Sequence, residues 1–410
     1  MTAFFTFAYN AAKTLPRAIE SILHQTCSDW VYYLCDDGSK SDNTRAIIRR
    51  YTKRDPRIIP IYMDKNDPYE ASRIGFSKIF TSDATYFAML DADDEYDPQF
   101  LEKSLKFMED ESLDIVACGN YFIDAQSLDY LGGRKPERKI ILHDRKSYND
   151  YFTMCHQFMR TIWGKFYKVS LFQNFDCCSV DWDYYKVPYG GDTIFFMKVA
   201  SYANRIGFLD EVLHKYYLSN KSSSYNWDPL RPEADRVLYD HAVNFLSTKA
   251  GSVSDKNKDF LDVVYLNATN DTLNVLFHTN LEIGKKLQTL RSIFDSQYTI
   301  SAITNKSLQI NGLVERVLDE IRPCSETKRT EDGIWLGLTL SALLENQKEY
   351  IQYSIYHIDY LIETGQINEA EQELDEWENL LPADEVIKDL RKKLEHLYIK
   401  KSEEEFLPLK

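Results

Sequence analysis

Glycine is scarce where a phosphate loop would need it: the first of 15 glycines in 410 residues is Gly38. The first strand is therefore followed by no glycine-rich loop whose backbone amides could cradle phosphates, which argues against a sugar nucleotidyltransferase. No apolar run approaches the roughly 18 to 20 residues that a membrane-spanning helix needs. The longest, over 3–8 and 194–200, are far shorter. An apolar run begins within three residues of Met1, so no signal peptide precedes the first strand and a soluble cytoplasmic protein is expected. The seven cysteines show neither a C-x-x-C pair nor a His-x-x-x-His partner, which excludes an ordinary zinc site. Cys177 and Cys178 are adjacent and awkward to bridge, so reduced thiols are expected.

Positive charge is also short. Lys plus Arg number 49 against 64 Asp plus Glu, a formal net charge of −15. Such a chain repels nucleic-acid phosphates, and no nucleic-acid partner is expected. The one dense basic segment, Arg49, Arg50, Lys53, Arg54 and Arg57, reads as the solvated C-terminus of a helix opened by Asp42. What is present is ordinary: 44% hydrophobic and 28% charged residues, in a length that exceeds what one core usually serves. Two domains are expected.

The first 130 residues alternate strand and helix. The pattern predicts strands over 3–9, 30–35, 58–63, 86–90 and 115–123. Between them it predicts helices starting at Thr14-Pro16, after Asp42, over 69–80 and from Pro98. Alternation of this kind specifies a mostly parallel sheet with helices on both faces, whose ligands bind beyond the carboxyl ends of the strands. From 124 to 217 the pattern turns irregular, with a helix beginning at Asp192 and a hairpin around 206–217. A polar connection over 221–235 then leads into helical periodicity that runs to the end, including 314–321, 335–344 and 350–361. The expected division is an α/β domain over 1–220, a linker, and an all-helical domain over 236–410. In the latter, Gly365, Ala370, Leu374 and Pro382 have the spacing of a tetratricopeptide repeat's second half, with Trp377 where a smaller residue is usual. No second copy can be traced, and a generic helical bundle serves equally.

Three predicted strand ends deliver Tyr9-Asn10, Asp36-Asp37-Gly38-Ser39 and Asp91-Ala92-Asp93-Asp94 to one edge. Clustered carboxylates repel unless a cation holds them, and oxygen ligands suit Mg2+ or Mn2+. A solvated acidic turn before the Pro98 helix is the plainer reading of the third segment. Asp192 precedes an apolar helical run, the position of an N-cap, while Gly190-Gly191 would let the chain bring that carboxylate close to a ligand.

The segments FAYNAAKTLPRAIESILHQT, CDDGSKSDNT and LDADDEYDP, followed by TIWGKFYKVSLF and GGDTIFF, resemble the nucleotide-sugar domain of family 2 glycosyltransferases over about residues 3–220. The resemblance implies a GT-A fold and transfer of a hexose from a UDP-sugar to a hydroxyl of an acceptor glycan or glycoprotein. It implies Tyr9 stacking on uracil, Asp37 accepting from the base imide, Asp91 and Asp93 at the ribose and metal, and Asp94 beside them. Asp192 matches the family's catalytic base. Arg73 would face the diphosphate, and His214 the metal, with Asp93 and Asp94, although a lone histidine on an aromatic strand reads more simply as packing or surface. Trp163 and Lys165 would line the acceptor site, with Trp163 serving equally as ordinary core, and the cluster over 182–189 would offer a sugar platform. Some positions depart from the pattern. Phe7-Ala8 replaces a Pro-Thr pair, Gly191 replaces an acid, and Arg73 is displaced by one position, which turns it by roughly 100° on a helix. A glycan-binding relative without turnover is the competing reading. The helical domain reads as an interaction or homo-oligomerisation module.

Overall fold

Phe4 and Phe5 are neighbours in the first strand and both are fully buried, in two different clusters. Phe5 packs with Phe76, Phe87, Tyr167 and Phe195 on one side, and Phe4 with Tyr32, Ile19, Phe100 and Phe166 on the other. A strand that is apolar without alternation is one buried on both faces, and the layer order helix–sheet–helix follows.

The structure, a computed structural model, describes residues 1–173, 187–219, 226–305 and 311–405. Its first compact unit is Met1–Tyr265 and its second Leu266–Lys410. In the first, strands β1 (Thr2–Ala8), β2 (Trp30–Asp36), β3 (Ile58–Tyr62) and β4 (Tyr86–Met89) form a parallel core in the order β3-β2-β1-β4. Helices α1 (Leu15–Leu23), α2 (Thr44–Arg54) and α3 (Pro68–Phe80) connect them. α3 lies so close to β1 that a Cβ on Gly75 would stand 2.1 Å from the Phe5 ring.

Beyond β4 the sheet is mixed. β5 (Glu95–Tyr96) follows the acidic turn, and α4 (Phe100–Asp110) leads to β6 (Ile115–Asp124), β7 (Tyr130–Arg134) and β8 (Ile140–Leu142). After α5 (Arg145–Cys155), β9 (Lys165–Lys168) inserts antiparallel between β4 and β6. α6 (Gly191–Tyr202) then leads to β10 (Ile206–Leu218), parallel to β6. The hairpin expected over 206–217 is instead this single 13-residue strand. Its register against β6 shifts between Phe208 and His214, and such bulges break the alternation that a continuous strand would show. Strands β7, β8 and β9 are likewise absent from the sequence reading. Each is five residues or fewer, and β7 carries two glycines.

The first unit does not end at 220–235 as expected. α7 (Arg231–Ala250) and the start of α8 (Asp255–His278) belong to it, because Ala242, Phe245, Leu246 and Leu261 join the cluster of Phe152 and Phe196. The second unit is all helical: α9 (Ile283–Phe294), α10 (Gln297–Ile303), α11 (Asn311–Ile321), α12 (Glu331–Leu343), α13 (Gln347–Glu363), α14 (Ile367–Leu380) and α15 (Glu385–Glu405). Gly365 turns α13 into α14, and Ala370 and Leu374 are fully buried where α14 meets Ile358 and Leu361. Among the described residues, no helix is long and apolar enough to cross a membrane.

Several helix starts shift by a residue or two. α2 is capped by Asn43, with Asp42 accepting from Thr44 at 2.9 Å, and α4 begins at Phe100 rather than Pro98. The basic end of α2 is a solvated helix end: Arg54 pairs with Glu20, and Arg57 pairs with Asp55 while lying 3.6 Å over the Trp30 ring. Cys27, Cys35, Cys118, Cys155 and Cys324 are free thiols. Cys177 and Cys178 lie outside the described residues.

Candidate active site

The tip of β4 is pinned from two sides. Thr6 Oγ1 donates to the Leu90 carbonyl at 2.6 Å, and Tyr96 OH donates to the Met89 carbonyl at 2.6 Å. The acidic turn that follows closes with Asp94 N–H donating to the Asp91 carbonyl. This sends consecutive acids in different directions. Asp91 lines a cavity of about 370 Å³ together with Phe7, Tyr69, Ser72, Ile162 and Asp192. Asp93 is exposed, and its carbonyl accepts from Arg17, whose guanidinium lies 3.4 Å over the Tyr217 ring. Asp94 is fully buried and points the other way: its Oδ1 accepts from Tyr217 N–H at 2.9 Å, and its Oδ2 is 3.2 Å from His214 Nε2.

Burial raises both Asp91 and Asp94 well above the usual carboxylate range. Repulsion adds to it, from Asp94, Asp192 and Asp93 at Asp91, and from Asp93 at Asp94. His214 is pushed down to about 3, chiefly by burial and then by the cations Lys165 and Arg134. Burial thus works against charge on both partners of the Asp94–His214 contact, which is not a conventional ion pair.

Asp192 owes its position to glycine. Gly190 has φ +81° and is the N-cap of α6, so Asp192 falls in the first helical turn and is not itself the cap that the sequence suggested. A Cβ at Gly190 would also stand 2.6 Å from Leu238. Asp192 reaches solvent through the cavity mouth but is otherwise enclosed by protein. That enclosure raises its carboxyl above the usual value, against the opposing pull of Ile162 N–H at 3.4 Å and of Lys165.

Lys165, almost fully buried on β9, donates from Nζ to the Trp163 carbonyl at 3.0 Å and to Thr161 Oγ1. Burial first, then Arg134, pushes its amine down to about 7. Its protonated form favours the ionised carboxylate of Asp192. Replacing Lys165 by Met should raise the Asp192 carboxyl further, so that activity requiring ionised Asp192 falls away at a higher pH on the acid side. A pH profile of kcat/KM with an unmoved acid limb would show that the two groups are not coupled.

Not every expected residue faces the cavity. Tyr9 is exposed at the β1 tip, and Asp37 follows the β2 tip beside it, its N–H donating to the Ala8 carbonyl at 2.9 Å. Asp37 is buried, and its two oxygens accept from Asp67 N–H and Asn66 Nδ2, each at 2.7 Å. Arg73 pairs with Glu70 through Nε at 2.7 Å, and from α3 it is Pro68, Tyr69, Ser72 and Phe76 that line the cavity. Trp163 is 6% exposed and stacked on both His214 and Tyr216, with centroids 4.4 and 4.9 Å away. It is packed, as Lys165 is, and neither presents an open face to an acceptor. Of the aromatic cluster over 182–189, residues 182–186 lie outside the described residues.

The fit of a divalent cation rests on orphaned donors. Asp94 Oδ2 and both His214 ring nitrogens are buried without a hydrogen-bond partner. Among the described residues no three His, Cys, Asp or Glu side chains converge as a metal cage, and the expected triad of Asp93, Asp94 and His214 is split by the exposure of Asp93. The oxygen-rich remainder suits a hard cation held by few protein ligands and completed by phosphate oxygens, which is how Mg2+ is usually bound.

Residues 4–174 match the family described as Glycosyl transferase family 2. The uncharacterized glycosyltransferase EpsJ of Bacillus subtilis (strain 168) is 26% identical over 232 residues, covering 56% of this chain and 64% of that protein. The uncharacterized glycosyltransferase MJ1057 of Methanocaldococcus jannaschii is 36% identical over 127 residues, 31% of this chain and 43% of its own length. Among solved structures, TarS of S. aureus in complex with UDP-GlcNAc is 14% identical and covers 87% of this chain and 90% of that one, with a TM-score of 0.46. The chain thus spans less than two thirds of the curated relatives named here. The match to the family 2 glycosyltransferase model lies within the α/β region, and an all-helical region follows it.

Proposed function

We propose that the protein is a metal-dependent, inverting glycosyltransferase that moves a hexose from a UDP-sugar to a hydroxyl of an acceptor glycan or glycoprotein. The observation that carries this reading is that Asp91, from the β4 tip, and Asp192, from the start of α6, line the same cavity although about 100 residues separate them. Phe7 and Tyr69 supply apolar wall beside these two acids.

In the proposed step Asp192 accepts the proton of the acceptor hydroxyl as that oxygen bonds to the anomeric carbon. The bond from that carbon to the β-phosphate oxygen breaks, and UDP leaves with the electron pair. A single displacement by the acceptor inverts an α-linked donor to a β-glycoside. The raised Asp192 carboxyl suits a base that must take a proton from a hydroxyl and later lose it to water. Tyr9 and Asp37 would hold the base, and Asp91 the ribose. Of the expected set of Asp93, Asp94 and His214, the exposed Asp93 is the carboxylate proposed to hold Mn2+ or Mg2+, with Asp94 and His214 buried behind it; the ion when bound would supply Lewis-acid stabilisation of the leaving diphosphate. The helical region is proposed as a module for acceptor docking or self-association.

The test is release of UDP from a panel of UDP-hexoses and UDP-N-acetylhexosamines with Mn2+ present. At least one donor should be consumed, with faster UDP release when a glycan acceptor is added. A chain that binds UDP but consumes no donor would be a glycan-binding relative, and the transferase reading would be wrong.

A further inference from the structure

Strand register sets three polar residues side by side. Asn120 on β6 lies opposite Arg134 on β7 and opposite His214 on β10, so all three project from one face of the sheet. Arg134 Nε donates to Asn120 Oδ1 at 2.7 Å, and its guanidinium carbon lies 5.5 Å from the Phe122 ring centroid and 5.9 Å from that of Phe158. Arg160 is its neighbour in charge and disfavours the cation at Arg134, and the Arg160 carbonyl accepts from Thr193 Oγ1 at 3.1 Å, one residue past Asp192. Lys165 adds a third cation within reach of both Arg134 and Asp192. Among the described residues no ion pair to a carboxylate takes up Arg134, Arg160 or Lys165. Beside them Asn120 Nδ2 is buried without a partner. An arrangement of like charges, partly desolvated and with an unused donor, is stabilised by an arriving anion.

We propose that the acceptor carries an anionic group, a carboxylate or a phosphate, and that Arg134 and Arg160 hold it beside the hydroxyl that Asp192 deprotonates. This rests on the glycosyltransferase reading above. The planar guanidinium of Arg134, tied to Asn120 at Nε, has the fork geometry that matches the two oxygens of such a group. Lys165 acts from beneath, through its field. Its buried amine is not placed to touch the acceptor.

Transfer from the preferred UDP-sugar is to be measured with methyl β-glucuronide, glycerol 3-phosphate and methyl β-glucoside as acceptors. One of the two anionic acceptors should exceed the neutral one in kcat/KM by at least tenfold, a preference that shrinks with added salt. Whichever of the two is used better decides between a carboxylate and a phosphate source. Arg160→Gln, at an exposed side chain, and Arg134→Gln should each lower the anionic-to-neutral ratio at least fivefold through KM, and Arg134→Lys should recover part of it. The inference is overturned by equal use of charged and neutral acceptors, by a ratio that neither substitution moves, or by donor hydrolysis that none of the three acceptors accelerates. The parent reading fails in a different way, by no UDP being released from any donor.

Discussion

Asp192→Asn should lower transfer by roughly 10²- to 10⁴-fold, the usual contribution of a positioned general base, or about 3–5 kcal/mol of barrier. The amide keeps the size of the side chain and can still occupy the first turn of α6, where Asp192 makes no capping bond, so folding should be preserved. The loss should fall on kcat, with the KM for the donor little changed, because the proposed role begins once the donor is bound. A second signature comes from acidity. Enclosure raises the wild-type carboxyl above its ordinary value, so wild-type activity should decline as pH falls through that raised value, and the residual activity of the variant should lack this limb. Rates within a factor of three of wild type would remove Asp192 from the chemistry.

Chelation is expected to have an effect of similar size. EDTA should reduce transfer by at least 10²-fold, and Mn2+ or Mg2+ should restore it, since charge developing on the leaving diphosphate would otherwise lie among four acids. Asp93→Asn should raise the Mn2+ concentration needed for half-activity at least tenfold. Its exposure makes it the safer substitution, because Asp94 is buried and bonded to the Tyr217 backbone. Full activity in EDTA would mean that the buried Asp94–His214 contact is a structural one.

How much of this could be read from the sequence depended on whether local pattern or distant pairing decided the structure. The β1, β2 and β4 tips were legible because each apolar run ends abruptly in polar residues, at Tyr9, Asp36 and Asp91. The cavity that Phe7 and Asp91 share with Asp192 lies at the carboxyl ends of β1 and β4, where the general rule for parallel sheets puts a ligand. β9 was not legible, since four residues containing two lysines make a strand only because β4 and β6 leave a gap for it. The division of the acidic turn was also hidden. Asp91 and Asp94 are three residues apart, yet one lines the cavity while the other meets β10, a strand some 120 residues later. Arg134 and Arg160 carried no local signal at all, because their neighbourhood is made by register across β6, β7 and β10 and by the packing of α6. For Arg73 the structure gives a pairing with Glu70, one turn earlier on α3.

The unit boundary shows the same limit. Ser222, Ser223 and Ser224 followed by Pro229 and Pro232 look like a linker, but composition cannot say which side of a connection a helix will pack on. α7 returns to the sheet unit through Phe245 and Leu246, residues that would equally suit a helical bundle.

The most direct measurement is calorimetric titration of UDP, with Mn2+ present, into the wild-type protein, Asp91→Asn and Asp192→Asn. If the strand tips hold the nucleotide and α6 brings the base to it, wild type and Asp192→Asn should bind with the same affinity. Asp91→Asn, having lost a charged hydrogen-bond acceptor, should bind at least tenfold more weakly. Equal binding by all three, or none by wild type, would contradict the assignment of this cavity to the donor.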